Sequence, residues 1–232
     1  MAYGSYGSYS MLPAFSFDRL PLLDRGFVFA IAHVRGGGEL GVKWHEAAMQ
    51  LKKKNTFYDF IACTEKLIEE KYSSKGKIVA IGGSAGGLLM GVVANWKPQL
   101  FNTIILEVPA LDILNTLTDT TAKFNSLQKG ELGNPKNKGV FNYIKSYAPY
   151  ENIKAQNYPN MLFTTGLNDT RVEYWQVVKS VAKLRELKTD TNTLLLKTDL
   201  YAGHNGYSGY YNYINFKAFE YAFILNNFGI KY

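Results

Sequence analysis

Residues 78–96 read IVAIGGSAGGLLMGVVANW, an apolar run, then Ser84 set among Gly82, Gly83, Gly86 and Gly87, then a second apolar stretch of helical rhythm. The pentapeptide Gly82-Gly83-Ser84-Ala85-Gly86 fits G-x-S-x-G. The setting that this motif requires is also present, a strand pattern before it and a helical pattern over 88–96 after it. On such a strand-to-helix turn the serine takes strained dihedrals and side chains two residues to either side would collide, which favours glycine there. The helix start would favour a developing oxyanion, with the Ala85 N–H as one donor. A plain glycine-rich turn or a phosphate-binding loop shares this composition, so the serine needs partners before it means chemistry.

Around this stretch, short and nearly continuous apolar runs at 27–34, 77–81, 103–108, 161–165 and 193–198 predict strands buried on both faces of a parallel sheet. Helical spacing runs from an Asn55-Thr56 cap site through Phe57, Phe60, Ile61, Thr64, Leu67 and Ile68, again over 174–187, and again over 210–229, ending on Gly229. Strand and helix alternate, which predicts a doubly wound α/β domain. Residues 112–158 break the rhythm and read as an excursion, partly helical, of the kind that lines a site at the carboxyl edge of such a sheet.

In this fold class a catalytic triad runs serine, acid, histidine along the chain. Of three histidines, His33 and His45 precede Ser84, which leaves His204 in the glycine-flanked loop YAGHNGYSG after the run at 193–198. The acid must lie between them, where Asp112, Asp119, Asp169, Asp190 and Asp199 compete with several glutamates. Asp169 is favoured because it stands just past one buried strand and before a helix, one sheet position ahead of the histidine loop. Asp112 follows a strand too early, and Asp199 is too near in sequence to face the His204 ring easily. Ser84 would then attack a carbonyl, His204 would move the proton, and Asp169 would fix the imidazole's tautomer.

Composition bounds the rest. With 232 residues, 47% of them hydrophobic, the chain reads as one globular domain over 1–232. The net charge of +7 is spread over scattered lysines whose only tight run is Lys52–Lys54, a pattern of solvated surface rather than of a nucleic-acid patch. Cys63 has no partner for an internal disulfide and falls in a helical pattern, which predicts a packing role in a reduced compartment. No apolar run approaches the roughly 18 residues of a membrane span, and MAYGSYGSYS has no signal-peptide pattern, so a cytoplasmic protein without membrane contact is expected.

The stretches YGSYG (3–7), FSFDRLPLLDRGFVFAIAHVRGGGELG (15–41), LKKKNTFYDF (51–60), GGSAGGLLMG (82–91), YPNMLFTTGLNDTRVEYWQ (158–176) and VAKLREL (181–187) resemble the catalytic domain of the prolyl oligopeptidase family, most of all its oligopeptidase B branch. The resemblance implies an α/β-hydrolase fold, cleavage of short peptides, and no metal or cofactor. It places the triad on Ser84, Asp169 and His204. It further implies that Tyr3 and the Ala85 N–H hold the oxyanion, that Tyr6 lines the first specificity pocket and that Arg171 holds a main-chain carbonyl of the substrate.

Two departures qualify what is implied. The branch carries acidic pocket residues where this chain has Gln128 and Gly130, with Glu131 at the next position, and SYSMLPA after the YGSYG stretch holds no acid. A guanidinium buried without a carboxylate costs several kcal/mol, so only a weak preference for basic residues is expected. Family members also place a β-propeller and early strands of the sheet before YGSYG, one of which inserts between the strands at 27–34 and 77–81; here only Met1 and Ala2 precede Tyr3. The expectation is a hydrolase domain truncated at its amino end, with a separate chain carrying the propeller and early strands as a candidate partner. An inactive remnant of a split gene is the rival reading. An esterase or lipase would share the serine turn but usually not HVRGGGELG or Arg171.

Overall fold

A computed structural model describes residues 1–9, 12–121, 124–206 and 209–231. In chain order the elements are α1 (Leu20–Leu23), α2 (Val42–Glu46), α3 (Lys54–Glu69), β1 (Ile78–Gly83), α4 (Ala85–Trp96), β2 (Phe101–Glu107), α5 (Ile113–Thr118), α6 (Asn125–Leu132), α7 (Lys138–Lys145), β3 (Asn160–Gly166), α8 (Tyr174–Leu187), β4 (Leu194–Asp199) and α9 (Tyr210–Asn227). The strands pair in parallel in the order β1-β2-β3-β4. Parallel neighbours require crossovers, and the helical runs between the strands supply them.

Strand alternation sends successive side chains to opposite faces. Ile104 and Leu106 of β2, with Met161 and Phe163 of β3, enter a large core with Phe57 and Phe60 of α3, Leu89 and Val92 of α4, and Val177 and Val181 of α8. Ile105 and Leu162 face the other way, onto Leu22 of α1 and Phe223, Ile224 and Leu225 of α9. Helices thus cover both faces, which is why the strand sequences read as unbroken apolar runs. The chain has an α/β-hydrolase fold. The 112–158 excursion holds α5, α6 and α7, and Ile113 and Thr116 of α5 with Gln128 and Leu132 of α6 line a cleft with Ala85, just past the carboxyl end of β1.

Three expectations are corrected. Residues 27–34 run without strand pairing; their contacts include the Met1 amino group donating to the Ala30 carbonyl at 3.0 Å and the Ala32 N–H donating to the Met1 carbonyl at 2.9 Å. A strand is defined by its neighbours, and among the described residues no strand lies along the free edge of β1. Nor do Asn55 and Thr56 cap α3, which already begins at Lys54. Asn55 instead donates to the Ala47 carbonyl at 2.8 Å and Thr56 to the Arg35 carbonyl at 2.8 Å. Gly229 does close α9 with φ of +67°, and the Ile230 N–H returns to the Leu225 carbonyl at 3.0 Å. Cys63 lies on α3 but is exposed, so its packing role is not found. Among the described residues no helix is long and apolar enough to cross a membrane.

Candidate active site

Ser84 occupies the turn between β1 and α4 with φ 55° and ψ −117°, a backbone conformation that L-residues rarely adopt. Its N–H donates to the Glu107 carbonyl at 2.8 Å and its own carbonyl accepts the Ala110 N–H at 3.1 Å, so the end of β2 holds the turn from both sides. The glycine at position 82 is required by close approach, since a Cβ there would sit 2.4 Å from the Gly86 carbonyl oxygen.

The loop after β4 delivers His204. Asp199 accepts the Tyr201 and Ala202 N–H groups at 2.7 Å each, and the Asn168 N–H donates to the Ala202 carbonyl at 3.1 Å, pinning this loop to the end of β3. His204 Nε2 then lies 3.0 Å from Ser84 Oγ and Nδ1 lies 2.8 Å from Asp169 Oδ2. The other carboxylate oxygen of Asp169 accepts the Arg171 and Val172 N–H groups, both at 2.9 Å. Burial pushes the Asp169 carboxyl upward, but these hydrogen bonds and His204 outweigh it and hold the group below the ordinary aspartate value. A carboxylate accepting from Nδ1–H leaves Nε2 with its lone pair toward the serine hydroxyl. Two rival acids have other partners. Asp112 is fully buried in an ion pair with Lys179 and accepts Asn115 Nδ2 at 2.9 Å, and Asp190 pairs with Lys188 at 2.7 Å. Asp199, as described, holds the histidine loop.

The segment 3–7 arches over Ser84. The Tyr3 phenol lies close to the Ser84 side chain; burial raises its pKa, and Ser84 and the Arg171 charge offset part of the rise. Ala85 is the first residue of α4, so its N–H points from the helix start toward the same region. Tyr6 sits in left-handed conformation with φ 57°, and burial drives its phenol far above the ordinary value. The arch rests on the loop at 35–41: the Gly7 N–H donates to the Gly36 carbonyl at 3.0 Å, and a Cβ on Gly38 would fall 2.1 Å from the Gly7 carbonyl oxygen. Arg35 anchors that loop to α3 through Nε and its own N–H, at 2.8 and 3.0 Å from Asp59 Oδ2. Arg171 is exposed, its guanidinium 5.9 Å from the centre of the Phe124 ring.

Beside Ser84 a small cleft is lined by Ser5, Tyr6, Ala85, Leu88, Ala110, Ile113, Thr116, Gln128, Leu132, Val172 and Gln176. None of these side chains carries a charge. Gly130 is not among them, and Glu131 turns away, to Lys53 at 2.9 Å and to His45 at 2.8 Å. Lys53 is the residue that the sequence reading misplaced: it is 1% exposed although its run of lysines reads as solvated surface. Glu131, which the sequence sets beside the pocket positions, and His45, which precedes Ser84, join Lys53 in this cluster away from the cleft. The signal that could have found Lys53 is its place at the N-cap of α3, three residues before the buried Thr56. Among the described residues no group of His, Cys, Asp and Glu is arranged to hold a metal.

Residues 13–231 match the model of the prolyl oligopeptidase family. The chain is 48% identical over 229 residues to Protease 2 of Moraxella lacunata, covering 99% of this chain and 33% of that protein, and 44% identical to dipeptidyl aminopeptidase BI of Pseudoxanthomonas mexicana, covering 99% and 32%. Oligopeptidase B of Trypanosoma brucei, solved in a closed form with covalently bound antipain, superposes with a TM-score of 0.96 at 44% identity over 100% of this chain and 32% of its own. The chain therefore spans about a third of the length of these relatives. On the extent of these matches, the protein belongs to the prolyl oligopeptidase family.

Proposed function

We propose that this chain carries the hydrolytic centre of a serine peptidase that cleaves short peptides through an acyl-enzyme. The observation that carries the reading is the bridge of His204 between Ser84 Oγ at 3.0 Å and Asp169 Oδ2 at 2.8 Å. Ser84 Oγ attacks the scissile carbonyl carbon while His204 Nε2 takes its proton. The oxygen of the tetrahedral adduct accepts from the Ala85 N–H and the Tyr3 hydroxyl. His204 then protonates the departing amine and the Ser84 ester remains. Water, deprotonated by the same nitrogen, hydrolyses that ester and restores the serine. Asp169 stays ionised and stabilises the imidazolium. Arg171, exposed beside the site, takes a substrate main-chain carbonyl, and Tyr6 forms a wall of the cleft that receives the side chain before the cut. The uncharged lining of that cleft supports peptides with neutral residues there rather than Lys or Arg. No metal or cofactor enters this scheme. The single cysteine supports a reduced, cytoplasmic setting.

A fluorophosphonate probe tests the reading: labelling of the parent chain that is lost in Ser84→Ala is expected, and equal labelling of both, or none of either with a cooperative thermal transition, overturns it.

A second reading, that the site assembles only with a partner segment, draws on the free edge of β1 and the unpaired course of residues 27–34. Unpaired strand groups cost about 1–3 kcal/mol each where they are buried. A separate polypeptide carrying the early strands and propeller would then restore Ser84 labelling to a chain that lacks it. If a probe-inert chain stays inert with that polypeptide present, an inactive remnant is the better description.

A further inference from the structure

One buried carboxylate, Glu131, sits beneath the arch formed by residues 3–7. Its Oε1 accepts Lys53 Nζ at 2.9 Å, and Lys53 also donates to the Gly4 carbonyl at 2.9 Å and to Ser5 Oγ at 2.6 Å. Its Oε2 meets His45 Nε2 at 2.8 Å, and the His45 ring lies against Gly7, where an added Cβ would come within 3.2 Å of Nδ1. The two side chains that Glu131 holds therefore grip the arch at both ends, one at Gly4 and Ser5 and the other at Gly7.

The arch needs a grip. Gly4, Tyr6 and Gly7 all take positive φ, at 65°, 57° and 59°, and Tyr6 does so at the expense of its Cβ. An ammonium 1% exposed and a carboxylate 3% exposed are costly to bury, and a matched apolar pair would often serve stability as well. What an apolar pair cannot do is bond a backbone carbonyl and a hydroxyl of the arch in a fixed direction. Lys53 supplies three directed donors, and all three are used.

We propose that Lys53, Glu131 and His45 form a clamp that positions the Tyr3 hydroxyl over Ser84, so that Lys53 is a positioning residue for oxyanion stabilisation although it does not touch the substrate. This inference rests on the peptidase reading for its catalytic consequence and on the clamp geometry alone for its structural one, and the two can fail separately.

The test uses the full chain with Lys53→Met, Tyr3→Phe and the double variant. Turnover of a neutral peptide ester is expected to fall about 10²-fold in each single variant, as for loss of one oxyanion donor. In the double variant Tyr3→Phe should cost less than about twofold further, because a misplaced hydroxyl has little left to lose. Multiplying losses, or a Lys53→Met chain with parental kcat, overturns the proposal. Amide exchange gives a reading that does not depend on activity. Gly7 and Ser8, whose N–H groups bond the Gly36 and Ser5 carbonyls, should exchange at least about tenfold faster in Lys53→Met while β2 amides stay unchanged. Unchanged exchange at Gly7 and Ser8 overturns the clamp even in a chain without turnover. Where Lys53→Met does not fold, Glu131→Gln, which keeps volume and an acceptor, is judged by the same exchange and kinetic criteria.

Discussion

The Ser84 N–H and the Glu107 carbonyl meet at 2.8 Å, which ties the turn after β1 to the last residue of β2 while Ser84 itself holds φ 55° and ψ −117°. The strain is borne by the sheet rather than relieved by it, since both partners sit on paired strands or their immediate ends. Replacing Ser84 by glycine removes the Cβ that makes this conformation costly, whereas alanine keeps it. Ser84→Gly should therefore be more stable than Ser84→Ala by about 1 kcal/mol, the strain of a misplaced Cβ less the entropy of a freer unfolded chain. Denaturant midpoints of the two variants check this. Equal midpoints would mean that the turn is not strained.

Asp169 accepts from Arg171, Val172 and His204 at once. Asp169→Asn keeps the size but offers an amide that can donate to Nδ1, so the imidazole turns its proton toward Ser84. A loss of about 10³- to 10⁴-fold in kcat with little change in KM is expected. The folded carboxyl lies below its ordinary value of 3.8. Its contribution to stability is thus fully present above that value and is lost as pH falls through the folded one. Acid denaturation of Asp169→Asn should begin from a lower plateau and run with a shallower slope, measured by unfolding between pH 2 and 5.

How far the sequence foretells this structure depends on whether a feature is local. β1 to β4 and the helices α3, α4, α8 and α9 are legible because each is a short apolar run or a helical repeat whose burial follows from the period alone, whereas α5, α6 and α7 of the 112–158 excursion carry no such repeat. The meeting of Ser84, His204 and Asp169 is legible because chain order leaves one histidine and because Asp169 follows a strand. Residues 27–34 have the same apolar signal yet do not form a strand, because pairing depends on a neighbour that no local pattern can report. Lys53 has the opposite fault: its sequence neighbours are lysines, while its actual partners, Gly4 and Glu131, lie 49 and 78 residues away. Buried charge is a tertiary property, and composition gives it the sign of the surface.

The cleft beside Ser84 is uncharged, with Gln128 at its wall. Peptides with Leu before the cut should be cleaved with a kcat/KM about 10-fold or more above those with Arg, because a guanidinium placed there loses water without gaining a carboxylate. Gln128→Glu should reverse the order, raising the Arg value about 10-fold and lowering the Leu value. A parent chain that already prefers Arg would show that another acid reaches the cleft.

Behind β2, Lys217 lies between two carboxylates, Glu107 at 2.7 Å and Glu220 at 2.8 Å. Burial works against the Lys217 charge, but the two carboxylates outweigh it and hold the ammonium well above its ordinary value. One lysine balances one carboxylate, and Glu107 takes that share, its pKa held below the ordinary value despite burial. Burial and the Glu107 charge therefore leave Glu220 protonated, with its pKa raised from 4.5 to about 8. Between those two values the folded chain binds a proton that the unfolded chain has released. Stability from this group is then fully present below pH 4.5 and declines as pH rises toward 8. Glu220→Gln keeps the neutral shape and removes the decline, so the variant should gain on the parent by roughly a few kcal/mol between pH 5 and 8. Urea unfolding at pH 5, 6.5 and 8 measures it. Parallel stability curves for the two chains would mean that Glu220 is ionised in the fold and that Lys217 is shared by two charges rather than one.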